Sequence, residues 1–520
     1  MPVLTLILFT PTIAALVLLL LPRDNKQNIR WVALSASLIP FVLAVLAWLG
    51  FESTPKFDNF AYVEEVAWYA AIKSSYHIGV DGLSLTMVLL TTLLTPLSIL
   101  ASFKIEKNVS VFMALFLFLE TGMLGVFVSL DLLLFFVFWE IGLVPMYFLI
   151  SQWGSEKGER ELWGGRKMSA RGYASFKFMV YTMAGSLGLL LAIQLIGVSS
   201  GTFDIVAITQ SWPHLTELEN VPLGLSIGTV KTVAFWAFAI AFAIKVPVWP
   251  FHTWLPDAHT EAPTGGSMIL AGVLLKLGAY GFLRLVLPLY PVEAKAAAGV
   301  LAFLATMAIV FGAFAAFGQR DFKRLVAYSS VNHMGFVILG IAAAAYAVGG
   351  PDAEHATIAL NGAVLQMFNH GLSAAGMFFL VGVIYERAHT RDLDEIGGGH
   401  FPKIPIYGGI LIFTSMASLG LPGLNGFISE FLVVRGAWPI FTLYTAVSML
   451  GLLFTGAYIL KGIASTLYGP HKEHAGHEIT DINRREIYVI APLMALMLWL
   501  GIWPAWLLGV INNAIRTIFG

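Results

Sequence analysis

Long apolar runs separated by short polar breaks dominate the chain, and neither the alternation of a half-buried strand nor a one-sided helical stripe prevails. With about 20 apolar residues as the length that crosses a bilayer, fourteen runs can be marked. They lie at about 3–21, 31–50, 82–102, 111–130, 132–151, 173–198, 229–250, 262–288, 295–317, 325–347, 358–386, 406–432, 438–467 and 486–515. The fourth and fifth are joined only by a tight turn near Leu130 and Asp131. The first has no basic flank ahead of it and no small-x-small cleavage site, so it reads as a retained span rather than a signal peptide. The pattern predicts an all-α polytopic membrane protein with about 14 transmembrane helices.

Two of these runs carry helix breakers at membrane depth. Helix seven has Pro247 and Pro250 just after Lys245, and helix twelve contains GLPGLNG, with Pro422 and Asn425, ahead of Glu430. Proline removes a backbone donor and clashes with the preceding turn, so both helices should be broken. A broken span is tolerated where it lines a cavity. The breaks stand five helices apart, and an odd offset reverses direction through the membrane. That is the signature of an inverted repeat, helices 4–8 on helices 9–13. The repeat is inferred from position and helix breaks alone, not from residue identity between the halves. The division expected is residues 1–110 for helices 1–3, 111–288 and 289–467 for the two repeats, and 468–520 for a cytoplasmic connection and helix 14.

Composition agrees with the span count and narrows the chemistry. Apolar residues make up 58% and charged residues 12% of the 520, against about 25% charged in a soluble domain, and the mean hydropathy is +0.80. A net charge of -1 gives no sign of a nucleic-acid partner, and the absence of cysteine excludes disulfides and thiolate ligands within the chain. With the N-terminus placed on the outer side, the inner connections collect 19 Lys and Arg, from Arg23 to Arg485 and including Lys472, while the outer ones collect 5: Lys56, Lys73, Lys295, Arg435 and Arg516. That asymmetry follows the positive-inside rule and predicts both termini on the outer, periplasmic side.

The basic residues that remain lie within or at the ends of spans. Lys177, Lys231 and Arg284 sit near span ends, where snorkelling to the headgroups suffices. Lys245 and Lys276 lie deeper, and a basic residue at a helix centre costs roughly 2.5 to 3.5 kcal/mol even on insertion scales. Glu140, Glu120 and Glu430 supply acids at similar depth, and His333 and His370 supply groups that titrate near neutrality. Four ionisable groups on separate helices, Glu140, Lys245, Lys276 and Glu430, read as a proton relay, with static buried ion pairs as the bland alternative. A lone intramembrane histidine is as well explained by a helix-to-helix hydrogen bond. Desolvation and a movable carboxylate change a lysine's proton affinity in opposite senses, so Lys245 beside a break can load and release a proton.

FWEIGLVPMYFLI, KVPVWPFHTWLPDAHTEAPTGGS, LLKLGAYG, RLVAYSSVNHMG and LGLPGLNGFISEF together resemble the antiporter-like membrane subunits of respiratory complex I, most closely the M type. The resemblance spans nearly the whole chain, most strongly about residues 75 to 470. The same fold is shared with Mrp-type cation/proton antiporter and membrane-bound hydrogenase subunits. It implies that Glu140 pairs with Lys245, that Lys276 is the central lysine, that His333 and His370 bridge the half-channels, and that Glu430 is the terminal group. Glutamate there, and the absence of a long lateral helix after helix fourteen, fit the M type. Glu120 and Lys461 have no firm place in that relay, and Asp81, in VDGLS, is a helix cap or a proton-uptake group. His252, Asp257 and His259 suggest metal ligation, but their loop matches a family that binds no metal there.

The function implied is proton translocation coupled to quinone reduction in partner subunits of NADH:quinone oxidoreductase, with no redox centre in this chain. FMN, iron-sulfur clusters and quinone are expected in partners, and L-, N- and K-type subunits as neighbours. An Mrp-type antiporter subunit, a hydrogenase or ferredoxin-driven complex subunit, and a purely structural spacer are the alternatives. A bacterial plasma membrane is the expected location, with a photosynthetic membrane as the other possibility.

Overall fold

The computed structural model describes residues 2–161, 164–217, 225–469 and 479–519, so Lys472 of the charge count lies outside the described residues. The fold is 77% helical. Among the described residues thirteen helices are long and apolar enough to cross a membrane, and they follow the expected runs in order from Val3–Leu20 to Arg484–Ile502. The twelfth crossing is absent from that series because it is divided, into Pro405–Leu419 and Asn425–Ala437. Its break turns on Gly420 and Gly423, at φ +83° and +94°, a left-handed backbone that glycine adopts without a Cβ penalty. With it the crossings among the described residues number fourteen.

Contacts between connections sort them onto two faces. On one, Lys26 pairs with Glu106, Trp153 Nε1 donates to the Lys107 carbonyl, Ser155 N to the Glu261 carbonyl, and Arg387 pairs with Glu486. These join the first, third, fifth, seventh, eleventh and thirteenth connections. On the other face Leu130 N donates to the His77 carbonyl and Ile205 N to the Leu130 carbonyl, while His77 Nδ1 lies 2.6 Å from Asp204. The strict odd and even sorting is what fourteen antiparallel crossings require.

The enclosed centre is made by Thr264–Leu289, Phe322–Ala347 and Ala353–Ala388, almost wholly buried, whereas the first, second, sixth, thirteenth and fourteenth spans present much of their surface outward. The polar sequence candidates Lys276, His333 and His370 therefore sit on the three innermost helices. Residues of this kind cost least where they face protein rather than lipid.

Two expectations are corrected. Helix seven does not run to residue 250: Ile227–Lys245 ends at the lysine and helix resumes as Trp254–Glu261, because Pro247 and Pro250 cannot continue the ladder. Helix fourteen stops at Ile502, ahead of Pro504, and a separate helix, Ala505–Phe519, folds back beside the start of the third span. There a Cβ on Gly82 would meet the Val510 carbonyl at 2.4 Å. The connection between the second and third spans also carries strands. Phe60–Tyr69 pairs antiparallel with Ser74–Val80, flanked by Lys56–Phe57, and Glu64 accepts from Leu4 N at 2.9 Å.

Candidate functional site

The first broken helix ends with its backbone satisfied. Carbonyls of its last turn take Val246 N and Val248 N, and the Ile244 carbonyl takes Trp254 Nε1 at 2.8 Å from the second half-helix. The orphan acceptors of a helix end are thus met by the break itself. The side chain that closes the helix is left otherwise. Lys245 is 1% exposed, and its Nζ has no hydrogen-bond partner among the described residues. It lies 5.0 Å from the centre of the Trp139 ring and 6.0 Å from that of Phe178. Ring faces attract a cation without holding its protons. Trp139 precedes Glu140, whose Oε1 is likewise unpartnered. The two ionisable groups are not in ion-pair contact, although the carboxylate's charge reaches the amine.

Gly278 lets the eighth span press against this break, since a Cβ there would lie 2.7 Å from the Phe242 carbonyl and 3.0 Å from Lys245 Cβ. That span is irregular. Two π-helical turns, Leu270–Leu274 and Phe282–Val286, flank the α-helical Leu275–Gly281 that carries Lys276. A π turn loosens the regular ladder and is common at functional sites. Lys276 Nζ donates to the Ala271 carbonyl at 2.5 Å and lies 2.7 Å from His370 Nδ1. The helices approach closely enough for this because Gly371 faces the eighth span, where a Cβ would be 3.0 Å from the Gly272 carbonyl.

From His370 the arrangement continues laterally. Its ring centre is 5.7 Å from that of His333, a gap of the size that ring rotation or one bridging water spans. His333 Nδ1 is 2.7 Å from Glu430 Oε1, and Gln366 Nε2 donates to the same oxygen at 2.9 Å. The Nε2 of His333 faces Tyr458 OH at 3.2 Å and Ser418 Oγ at 3.4 Å. The second break is clamped beside it: Asn369 Nδ2 donates to the Asn425 carbonyl at 2.7 Å, and Asn425 Nδ2 returns a bond to the Asn369 carbonyl at 3.1 Å. Lys276, His370, His333 and Glu430 thus form one line through the enclosed centre, with Glu140 and Lys245 at its first end.

Other sequence candidates are placed elsewhere. Glu120 is fully buried, and neither of its carboxyl oxygens has a hydrogen-bond partner among the described residues. Lys461 donates to the Phe317 and Gln319 carbonyls, both at 2.7 Å, and so caps the ninth span. Asp81 caps the third span in a capping box with Ser84. Two basic residues read as snorkelling are ion-paired instead: Arg284 with Asp81, and Lys177 with Asp257 at 2.7 Å. Lys231 donates to the Pro213 and Leu215 carbonyls. His252, Asp257 and His259 do not converge. Asp257 takes Lys177, Arg324 and Arg160, and His259 stacks on Phe378, centroids 4.3 Å apart.

Tyr458, Gln366, Ser418 and Lys323 were not singled out from sequence. Lys323 is buried and donates to the Ala262 carbonyl beside the short second half-helix. Uncharged polar side chains in an apolar helix carry little signal; the one cue for Gln366 is its place about a turn before His370.

A transmembrane family model described as NADH:quinone oxidoreductase/Mrp antiporter matches residues 129–455. The NADH-quinone oxidoreductase subunit M of Rhodobacter capsulatus is 39% identical over 520 residues, covering 99% of this chain and 96% of that one. Among solved structures, a chain of respiratory complex I from Thermus thermophilus superposes with a TM-score of 0.82 at 28% identity, with both chains fully covered. A chain of the Mrp complex from Dietzia superposes at 0.80 with 20% identity, over 100% of this chain and 99% of that one, a likeness of fold alone. With a matching family model over most of its spans and a full-length relative at that identity, the chain belongs to the NADH:quinone oxidoreductase/Mrp antiporter family of membrane subunits.

Proposed function

We propose that this chain is the M-type proton-translocating membrane subunit of a NADH:quinone oxidoreductase, and that it moves protons along the line from Lys276 through His370 and His333 to Glu430. The observation that carries the reading is the line itself: a buried lysine, two histidines and a buried glutamate from four spans, in hydrogen-bond contact except for one ring-to-ring step. Static ion pairing would not need a lysine bonded to a histidine, nor a lysine such as Lys245 left without an anion.

The order of events follows from the partners. Lys245 and Glu140 are apart, so a closing movement brings the carboxylate to the amine and an opening one withdraws it. A cation drawn toward Glu140 no longer repels a proton on Lys276, and one left free repels it toward His370. Glu430 receives the proton in a site of ready donors, and release follows on the outer side. Quinone reduction in partner subunits supplies the drive. FMN, iron-sulfur clusters and the quinone belong to those partners.

Neighbouring membrane subunits, of L, N and K type, have a face to meet. Glu140 is partly exposed and shares its helix face with outward-facing Val137, Val144 and Phe148. An ionisable group on a lipid-facing stripe is costly, so a partner covering this stripe is the natural arrangement. On the positive-inside rule, the face that carries the basic connections is read as inward and both termini as outward in a bacterial plasma membrane. An Mrp-type antiporter would use the same groups, but the Mrp likeness is one of fold.

Replacing Lys245 by Ala tests the reading in the assembled complex. NADH-driven acidification of inverted vesicles should fall by about 100-fold, with the complex assembled and inhibitor-sensitive quinone reduction slowed. Loss of assembly instead would favour a static structural role. Sodium-dependent exchange without NADH oxidation in the purified complex would favour the antiporter.

A further inference from the structure

A buried and closely hydrogen-bonded charged pair lies off the relay. Asp81 and Arg284, each 5% exposed, meet at 2.5 Å. Asp81 Oδ1 accepts from Ser84 N at 2.9 Å and Ser84 Oγ at 2.8 Å, so both of its oxygens are engaged. Arg284 Nε donates to Tyr280 OH at 3.2 Å, and that hydroxyl donates to the Phe127 carbonyl at 2.9 Å. The rings of Phe60 and Tyr280 flank the guanidinium at 5.1 and 5.5 Å.

The placement gives this cluster a role beyond holding the third and eighth spans together. Lys276, Tyr280 and Arg284 recur every fourth residue along the eighth span and share one face of it. That span runs from the face of the basic connections toward the face of the strand hairpin, so Arg284 stands outward of the central lysine by about 12 Å of helix. A cavity of about 400 Å³ opens between the hairpin and the last helix. Exposed Lys56, Asp58, Asn513 and Thr517 stand at its mouth, and buried Asp81 and Arg284 form its floor. Solvent from the hairpin face therefore reaches the guanidinium.

A proton on Lys276 thus has two geometrically short ways to go: sideways to His370, which it touches, or along its own helix to this cavity. The second would bypass Glu430 and let protons run back. A proton wire needs each member to accept one proton and pass on another. Here the sequence of bonds from Arg284 through Tyr280 ends on a backbone carbonyl, which passes nothing on. Arginine does not surrender its proton, and a fixed cation in a narrow path repels an approaching hydronium, as in pores that exclude protons. Asp81, held by Ser84, keeps the cation in place.

We propose that Arg284, anchored by Asp81 and Tyr280, is a proton barrier that closes the outer end of the eighth span, so that the proton on Lys276 leaves only through His370. This rests on the relay reading given above.

The test uses the intact complex reconstituted in vesicles and reads two quantities: the passive proton flux driven by a potassium diffusion potential without NADH, and protons pumped per NADH oxidised. Replacing both charges, Asp81→Asn with Arg284→Gln, leaves no buried ion unpaired. Passive flux should rise about tenfold and protons per NADH should fall, with quinone reduction as fast as in the wild type or faster. Arg284→Lys, which keeps the charge, should remain tight. An assembled double variant with wild-type passive flux overturns the barrier. Tyr280→Phe keeps both charges and decides the matter even where the double variant does not assemble: pumping and passive flux should stay within about twofold of wild type. Lost pumping there would make the Tyr280 line an exit route instead. Lys276→Ala separates the two readings. Abolished pumping in Lys276→Ala beside an unchanged leak in the double variant rejects the barrier and keeps the relay. Unchanged pumping in Lys276→Ala rejects the relay and the barrier with it.

Discussion

The two broken helices are built from the same device and left in opposite conditions. At the first, Lys245 and Glu140 lie buried or half-buried with charged atoms that find no hydrogen-bond partner among the described residues. Only the ring faces of Trp139 and Phe178 attend the amine. At the second, Glu430 takes bonds from His333 and Gln366, and the break itself is stapled by reciprocal Asn369 and Asn425 bonds. An unpartnered buried charge is expensive and a partnered one much less so. The first site is therefore the one that a modest movement can change most, and the second is suited to holding what arrives. Position within the helix differs as well: Lys245 ends the first half of its helix, whereas Glu430 lies in the second half of its own. The halves are alike in having a break and unlike in how the break is used.

That contrast can be broken by matched substitutions. Glu140→Gln removes the one carboxylate able to draw on Lys245, and NADH-driven proton uptake by inverted vesicles, normalised to assembled complex, should drop by about 100-fold. Glu430→Gln keeps an acceptor oxygen for His333 but cannot take up the proton, and pumping should fall by a similar factor, about 100-fold, while Glu430→Asp, which keeps the carboxyl group, should lose less, about tenfold. Wild-type pumping in Glu430→Gln would remove Glu430 from the line. Tyr458→Phe removes a hydroxyl from His333 Nε2 without opening a cavity, and the same assay should lose about fivefold, the equivalent of one hydrogen bond.

The smallest effect belongs to the hairpin face. His77, paired with Asp204, is pulled down by burial, but the hydrogen bond and charge of Asp204 outweigh this and raise it above the ordinary 6.5. A raised histidine contributes its stability in full below the unfolded value, and the contribution is lost as pH climbs through the raised one. Asp204→Asn should thus lower the Tm of the detergent-solubilised complex by about 1 °C at mildly acid pH. The difference should vanish at alkaline pH. A Tm difference that grows with pH would mean that the pair acts through something other than this protonation.

What could be read from the sequence was what is local. Pro247, Pro250 and Pro422 announce their breaks because a ring on the backbone acts where it stands. Lys276 announces itself because about 20 apolar residues surround it. Partner choice was not legible: Asp81 and Arg284 lie on spans far apart in sequence, and only packing brings them together, so Arg284 read as a snorkelling residue. The end of helix fourteen was missed for a different reason. Trp503 and the apolar residues after Pro504 keep hydropathy high across a real break. The strand hairpin went unseen because its residues 60–69 mix apolar and acidic positions without regular alternation, and its pairing passes through two register shifts.

The most direct measurement of the central claim is the number of protons moved per NADH oxidised by reconstituted complex carrying Lys276→Ala, beside wild type at equal assembly. The relay account predicts that the ratio falls while NADH oxidation persists. A ratio equal to that of the wild type, with the complex fully assembled, would contradict it and reduce Lys276 and His370 to a buried structural contact.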